Sequence, residues 1–133
     1  MKVEIGNYRK NRKIKIKIDD FDLWNMDHTL ACIIHPMLLK MKESKHGSPC
    51  VSNEDVPEEL HGFQDENGHD SMVHEKWDWI LDQMIYSFQE ILNDDGEEQF
   101  FKNGFDRDGY HLYESKIENG LLLFGKHFRA LWT

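Results

Sequence analysis

The sequence predicts an α+β fold, with an N-terminal two-stranded antiparallel hairpin packed on three principal helices in a single domain, 1–133. Three observations carry this. Residues 13–19, KIKIKID, alternate strictly, which is the period of a strand with one apolar face. Trp77 to Leu92 repeats its apolar residues at helical spacing, and a second such repeat runs from Tyr110 to Leu131.

A chain of 133 residues is long enough for one domain with a real core and too short for two comfortable ones. Four Trp, eight Phe and four Tyr argue against disorder. No apolar run approaches a membrane span, and the start reads as a strand rather than a signal peptide. Two cysteines, Cys32 and Cys50, are too few for a disulfide framework and fit a reducing cytosol. The net charge of −9 is uneven: residues 1–17 hold seven Lys/Arg against Glu4 alone, a net of +6, which leaves −15 on residues 18–133. An acidic body disfavours nucleic-acid binding except through the basic N-terminal strand.

Val3-Glu4-Ile5 pairs across a turn-like basic link with the second strand, giving a hairpin over 1–20. Ile14, Ile16 and Ile18 lie on its apolar face, and Lys13, Lys15 and Lys17 on the other. The lysines read as a solvated face that discourages edge pairing, because no aromatic interleaves with them as single-strand binding requires.

The first helix is expected over 26–43, with Asp27 as N-cap and Leu30, Ala31, Ile34, Met37, Leu38 and Met41 as its buried stripe. The stripe keeps its phase across Pro36, so one helix kinked there fits better than two short ones. His28, Cys32 and His35 share a flank, but an i to i+7 pair lies about 10 Å apart along the axis, too far for one ion. Residues 44–70 form a long acidic loop with seven acids and only Lys45 to balance them. Val56 to Leu60 could make one helical turn. His69-Asp70 is an HD dipeptide, and Asp70-Ser71 is more simply the start of the next helix.

The central helix is expected over 71–93. Its core stripe is Trp77, Ile80, Leu81, Met84, Ile85, Phe88, Ile91 and Leu92. Trp79 and Tyr86 lie on the opposite side with Asp82 between them, so this helix must be sandwiched or present that face to a ligand. Phe100, Phe101 and Phe105 follow as a short strand or an aromatic-anchored loop, and Asp106 to Gly109 as a turn into the last helix. That helix is expected over 110–132, with Tyr110, Tyr113, Ile117, Leu121, Phe124, Phe128, Leu131 and Trp132 on one arc. Gly120 and Gly125 flank the arc and call for a close backbone approach.

The blocks NMDHTLACIIHPMLLKMKESKHGSP, NEDVPEEL, HEKWDWILDQMIYSFQE, FDRDGY and NGLLLFGKHFRALW resemble an uncharacterised protein family of tailed bacteriophages, especially large myoviruses. Members usually carry an aromatic-rich segment between the counterparts of KVEIGNY and RKNRKIKIKID, and this chain lacks it. They also tend to have apolar residues where Cys32 and His35 stand, whereas Asp27 and His28 fit their pattern. The resemblance implies a viral protein in the cytoplasm of an infected bacterium and supplies no activity.

Three functions remain open on the residues alone. The first is an accessory binding protein that sequesters a host nucleotide-type signal or another small anion. Trp79 and Tyr86 would stack on it, and Asp82, Lys45, His46, Lys126, Arg129, Asp27 and His28 are further candidate contacts. The second is a protein–protein interaction module inhibiting a host factor, and a homo-oligomer is compatible with either. The third is a metal-dependent phosphohydrolase on His28, His69, Asp70 and His74, for which the spacing is poor. The sequence implies no cofactor, no membrane partner and no catalytic residue, and leans away from an enzyme.

Overall fold

A computed structural model describes residues 1–8 and 10–132; Arg9, part of the basic link, lies outside them. The fold is α+β: one antiparallel hairpin and three long helices. Strand β1 (Lys2–Ile5) pairs with β2 (Ile14–Lys17), placing Val3 opposite Ile16 and Ile5 opposite Ile14. Helix α1 spans Met26–Ser44, α2 Val73–Ile91 and α3 Arg107–His127. Among the described residues no helix is long and apolar enough to cross a membrane.

Helix α2 is the centre. It packs against α3 on one side and α1 on the other. Trp77, Ile80, Leu81, Met84, Ile85 and Phe88 are buried as their spacing predicts, while Ile91 and Leu92 are half-buried at its end. Val51 and Val56 from the long connection join the same core, as do Ala31 and Leu38 from α1 and Leu123 from α3.

The hairpin departs from expectation. Every strand residue is exposed, and Ile14, Ile16 and Ile18 remain 59%, 56% and 59% accessible. Its apolar face, Val3, Ile5, Ile14 and Ile16, is left open to solvent. The N-terminal ammonium lies 3.0 Å from Asp22 and Lys17 lies 3.2 Å from Asp19, tying the hairpin to the 3-10 turn at Asp20–Leu23. Among the described residues the ion pairs between the hairpin and the rest of the chain run to the turn that precedes α1.

Helix α1 runs through Pro36 as one element. Its stripe is split: Ala31 and Leu38 are buried and Ile34 and Met41 partly so, but Leu30 and Met37 face outward. Asp27 is not the cap. Asn25 holds that position without a side-chain bond, and Asp27 stands in the first turn, where its charge suits the helix dipole. At α2 the cap is Met72 rather than Asp70-Ser71; Asp70 acts one step earlier, accepting from the Met72 N–H at 2.8 Å.

Helix α3 begins before Tyr110, because Asp106 accepts from the Gly109 N–H at 3.0 Å and caps it. It gives way at His127 to a 3-10 turn, Phe128–Ala130. Its buried face is rotated from the expected arc: Tyr113, Gly120 and Leu123 are inside, and Leu121, Phe128 and Trp132 are exposed. Gly120 causes the rotation. A Cβ there would lie 1.9 Å from Ser87 Oγ and 2.3 Å from the Gln83 carbonyl oxygen, so α2 and α3 cross with backbones close together. Ser87 Oγ donates across this crossing to the Ile117 carbonyl at 2.8 Å. Gly125 has no such neighbour, and a Cβ there would meet nothing within 4 Å. Phe100 is buried against Tyr110 and Tyr113, and Phe101 stacks on Phe105, so this segment is an aromatic-anchored loop.

Candidate functional site

The sequence-derived site residues are not drawn into one pocket; the charged ones Asp82, Lys45 and Lys126 each pair with a residue outside the candidate set. Lys42 and Lys45, at and just beyond the end of α1, reach Asp82 and Asp78 on α2, the Lys45 ammonium lying 3.0 Å from Asp78. These pairs occupy the polar flank that i, i+4 spacing gives to Asp78 and Asp82. Lys126, on the last turn of α3, bonds Asp55 at 2.6 Å, and His127 reaches the same carboxylate at 3.1 Å. The His127 ring also meets Trp77 edge-on, with centroids 5.8 Å apart. Arg129 is exposed on the 3-10 turn that follows α3. His46 lies with Pro49, Ala130 and Trp132 around a shallow cavity of about 310 Å³.

Trp79 and Tyr86 are half-buried, and Trp79 packs against the main core. The Lys116 ammonium stands 5.9 Å from the centre of the Tyr86 ring. Burial, and then the charge of Glu90, push the Tyr86 hydroxyl above its ordinary pKa. Tyr113 is raised for the same first reason, reinforced by the hydrogen bond it donates to Glu90 at 2.8 Å.

The histidines are likewise spread out. His28 Nδ1 lies 3.8 Å from Cys32 Sγ, as i, i+4 spacing predicts. His74 Nδ1 contacts Ser48 Oγ at 3.0 Å, and His69 Nδ1 contacts Asp65 at 3.1 Å. Backbone N–H donation from His69 holds Asp65 below the usual carboxylate pKa. Among the described residues no three His, Cys, Asp or Glu side chains converge as metal ligands would.

Sequence reasoning missed one cluster. Lys76 is only 2% exposed, and its ammonium donates to Asp70, Asn53 and the Val51 carbonyl. An ammonium has three donors, and here all three are used. The hydrogen bond from Lys76 is the main reason Asp70 sits below the usual carboxylate pKa, with the Met72 N–H next. Together with Asp55, this cluster fastens the connection between α1 and α2 to α2 and α3. The sequence signal was present: Lys76 is four residues before Ile80 and eight before Met84, a charge in phase with the core stripe.

The other unforeseen feature is apolar. Met26, Leu30, Ile33 and Met37 recur at i, i+4, i+7 and i+11 along the outer face of α1, and all are exposed. Met37 stands at its edge, 65% accessible, and also lines a groove between α1 and α3. Ile34, Leu38, Met41, Phe124, Phe128 and Leu131 complete that groove, which encloses about 420 Å³. Comparison with protein-family models, curated proteins and solved structures gives no match. The class of site rests on this geometry: an apolar groove beside polar pairs that are already engaged.

Proposed function

We propose that the chain is a non-enzymatic interaction module that docks on another protein through the apolar α1–α3 groove and the adjoining stripe of α1. The observation that carries this reading is the contiguous exposed run of Leu30, Ile33 and Met37 beside a groove lined by Phe124 and Phe128. Large apolar patches with polar surroundings mark interaction surfaces far more often than unused ones. The competing reading, capture of a nucleotide-type signal, requires Lys45 and Lys126 to leave Asp78 and Asp55 first. The resemblance to phage proteins belongs to the same proposal and makes the setting an infected bacterial cell.

The test is capture from bacterial lysate by the immobilised chain, compared with Met37→Glu. The charge is placed at an exposed position, so the helical circular dichroism should not change. A captured protein that is lost with Met37→Glu supports the reading. Capture that is absent, or unaffected by the substitution, refutes it. A thermal-shift screen with cyclic nucleotides and ADP-ribose derivatives addresses the competitor, and a shift there would favour it.

A further inference from the structure

We propose that the N-terminal arm, made of the hairpin and the Asp20–Leu23 turn, is a membrane-surface anchor. The hairpin lies in the headgroup layer of an anionic phospholipid bilayer with its apolar face toward the acyl chains. The contact is interfacial, needs no membrane-spanning segment and is separate from the α1–α3 groove.

Amphipathicity is the first reason. Pairing of Val3 with Ile16 and of Ile5 with Ile14 puts these four side chains on one face. Pairing of Lys2 with Lys17 and of Glu4 with Lys15 puts four charged ones on the other, and all eight residues are exposed. A two-stranded hairpin is marginal in water without a layer against its apolar face. The aromatic residues of the arm are as open. Phe21 and Trp24, on and just after the turn, are 78% and 79% exposed and stack with centroids 4.9 Å apart. Tyr8, in the link between the strands, is 92% exposed, with the Arg12 guanidinium 5.7 Å from the centre of its ring. Trp and Tyr join an apolar body to a polar tip, which suits them to the boundary between headgroups and acyl chains.

Charge says which surface. From Ile5 to Ile18 the sequence holds six Lys/Arg and no acid. The arm's acids are mostly engaged within it: Lys2 lies 2.9 Å from Glu4, Lys17 3.2 Å from Asp19 and the N-terminal ammonium 3.0 Å from Asp22, with Asp20 beside them. Among the described residues Lys10, Arg12, Lys13 and Lys15 have no carboxylate partner, so uncompensated positive charge runs from the link into β2. The −15 of residues 18–133 opposes this weakly, because charges more than about 8 Å from the lipid are screened at physiological salt.

A bilayer interface is the partner that meets both faces at once. A nucleic acid on the cations leaves the four apolar side chains in water, and a soluble protein on the apolar face leaves the lysines of the opposite face unmatched. The headgroup layer is about 5–7 Å deep on each side of the bilayer, comparable to a lysine side chain. A hairpin lying in it has acyl chains beneath and phosphates around its cations, so apolar burial and attraction to anionic lipid act together.

Co-sedimentation of the full chain with vesicles tests the anchor, using pure phosphatidylcholine and phosphatidylcholine with about a third phosphatidylglycerol. The wild type should pellet with the anionic vesicles, stay in solution with the neutral ones, and be released as salt rises towards ~1 M. The triple variant Lys10→Gln, Lys13→Gln and Lys15→Gln should bind about 100-fold more weakly, at about 5-fold for each cation near the surface. The variant Val3→Thr, Ile5→Thr, Ile14→Thr and Ile16→Thr keeps every charge and strand-forming side chains, and it should also be released. Both variants should keep the helical circular dichroism of the wild type. No association with anionic vesicles, equal association with neutral ones, or full binding by either variant overturns the anchor. Tighter binding to a short oligonucleotide than to the vesicles, kept by the threonine variant, overturns it as well and gives the cations to nucleic acid.

Discussion

Replacing Gly120 by Ala tests the helix crossing at the centre of the fold, and Gly125 provides its control. In a helix, Ala is favoured over Gly by up to about 1 kcal/mol, so propensity alone predicts that both substitutions stabilise. Packing reverses the sign at Gly120 only. Its new methyl would meet the Gln83 carbonyl oxygen at 2.3 Å and Ser87 Oγ at 1.9 Å. The hydroxyl can turn aside, at the expense of its bond to Ile117, but the carbonyl is backbone and can yield only if α2 and α3 separate. Overpacking of this kind costs about 1–3 kcal/mol, and the lost hydrogen bond adds about 1 kcal/mol. Net of the propensity gain, Gly120→Ala should lose about 2 kcal/mol. Gly125→Ala meets nothing within 4 Å and should gain about 0.5 kcal/mol. In thermal unfolding the two variants should differ by roughly 10 °C, at about 3–5 °C per kcal/mol for a chain of this size. Urea midpoints at unchanged slope would confirm that stability alone has moved. If Gly120→Ala is as stable as the wild type, the close crossing of α2 and α3 is wrong.

Two further outcomes follow from the buried ammonium. Lys76→Ala leaves Asp70, Asn53 and the Val51 carbonyl without their shared donor and should lower the urea midpoint; an unchanged midpoint would show that the cluster contributes nothing. Acid should act through the same pair. The folded carboxyl of Asp70 titrates below the usual carboxylate range, so its contribution is present above the unfolded value and is lost as pH falls through the lower, folded one. Asp22 and Asp65 are depressed too, so Asp70→Asn should flatten the acid limb of stability measured by urea unfolding, not abolish it.

Local pattern revealed what depends on one helix at a time. The stripe from Trp77 to Phe88 is buried as its period predicts, because a continuous apolar face on a long helix has few alternatives. Trp79 and Tyr86 were recognised as needing cover, and both are half-buried with α2 packed between two helices. The phase of α3 was misread because large side chains define an arc more visibly than a glycine does, although Gly120 is what meets α2. The alternation of β2 identified a strand but not its neighbour, since an apolar face states only that something should cover it. The candidate cations Lys45 and Lys126 each pair with a carboxylate that sequence spacing does not point to. Their partners Asp78 and Asp55 are 33 residues later and 71 earlier, and no periodicity encodes such a distance.

That last separation bears on how the molecule is assembled during synthesis. The segment from Lys45 to Met72 has little regular structure of its own, only two short 3-10 turns and one isolated bridge, and its anchors are spread widely along the chain. Lys76 supplies one soon after the segment emerges, but Lys126 and His127 are made fifty and fifty-one residues after Lys76. Contacts of such long range close late, after the loop entropy between them has been overcome. Val51 holds the Lys76 ammonium through its carbonyl and Val56 adjoins Asp55, so this corner of the core seals only when the final turn of α3 has left the ribosome.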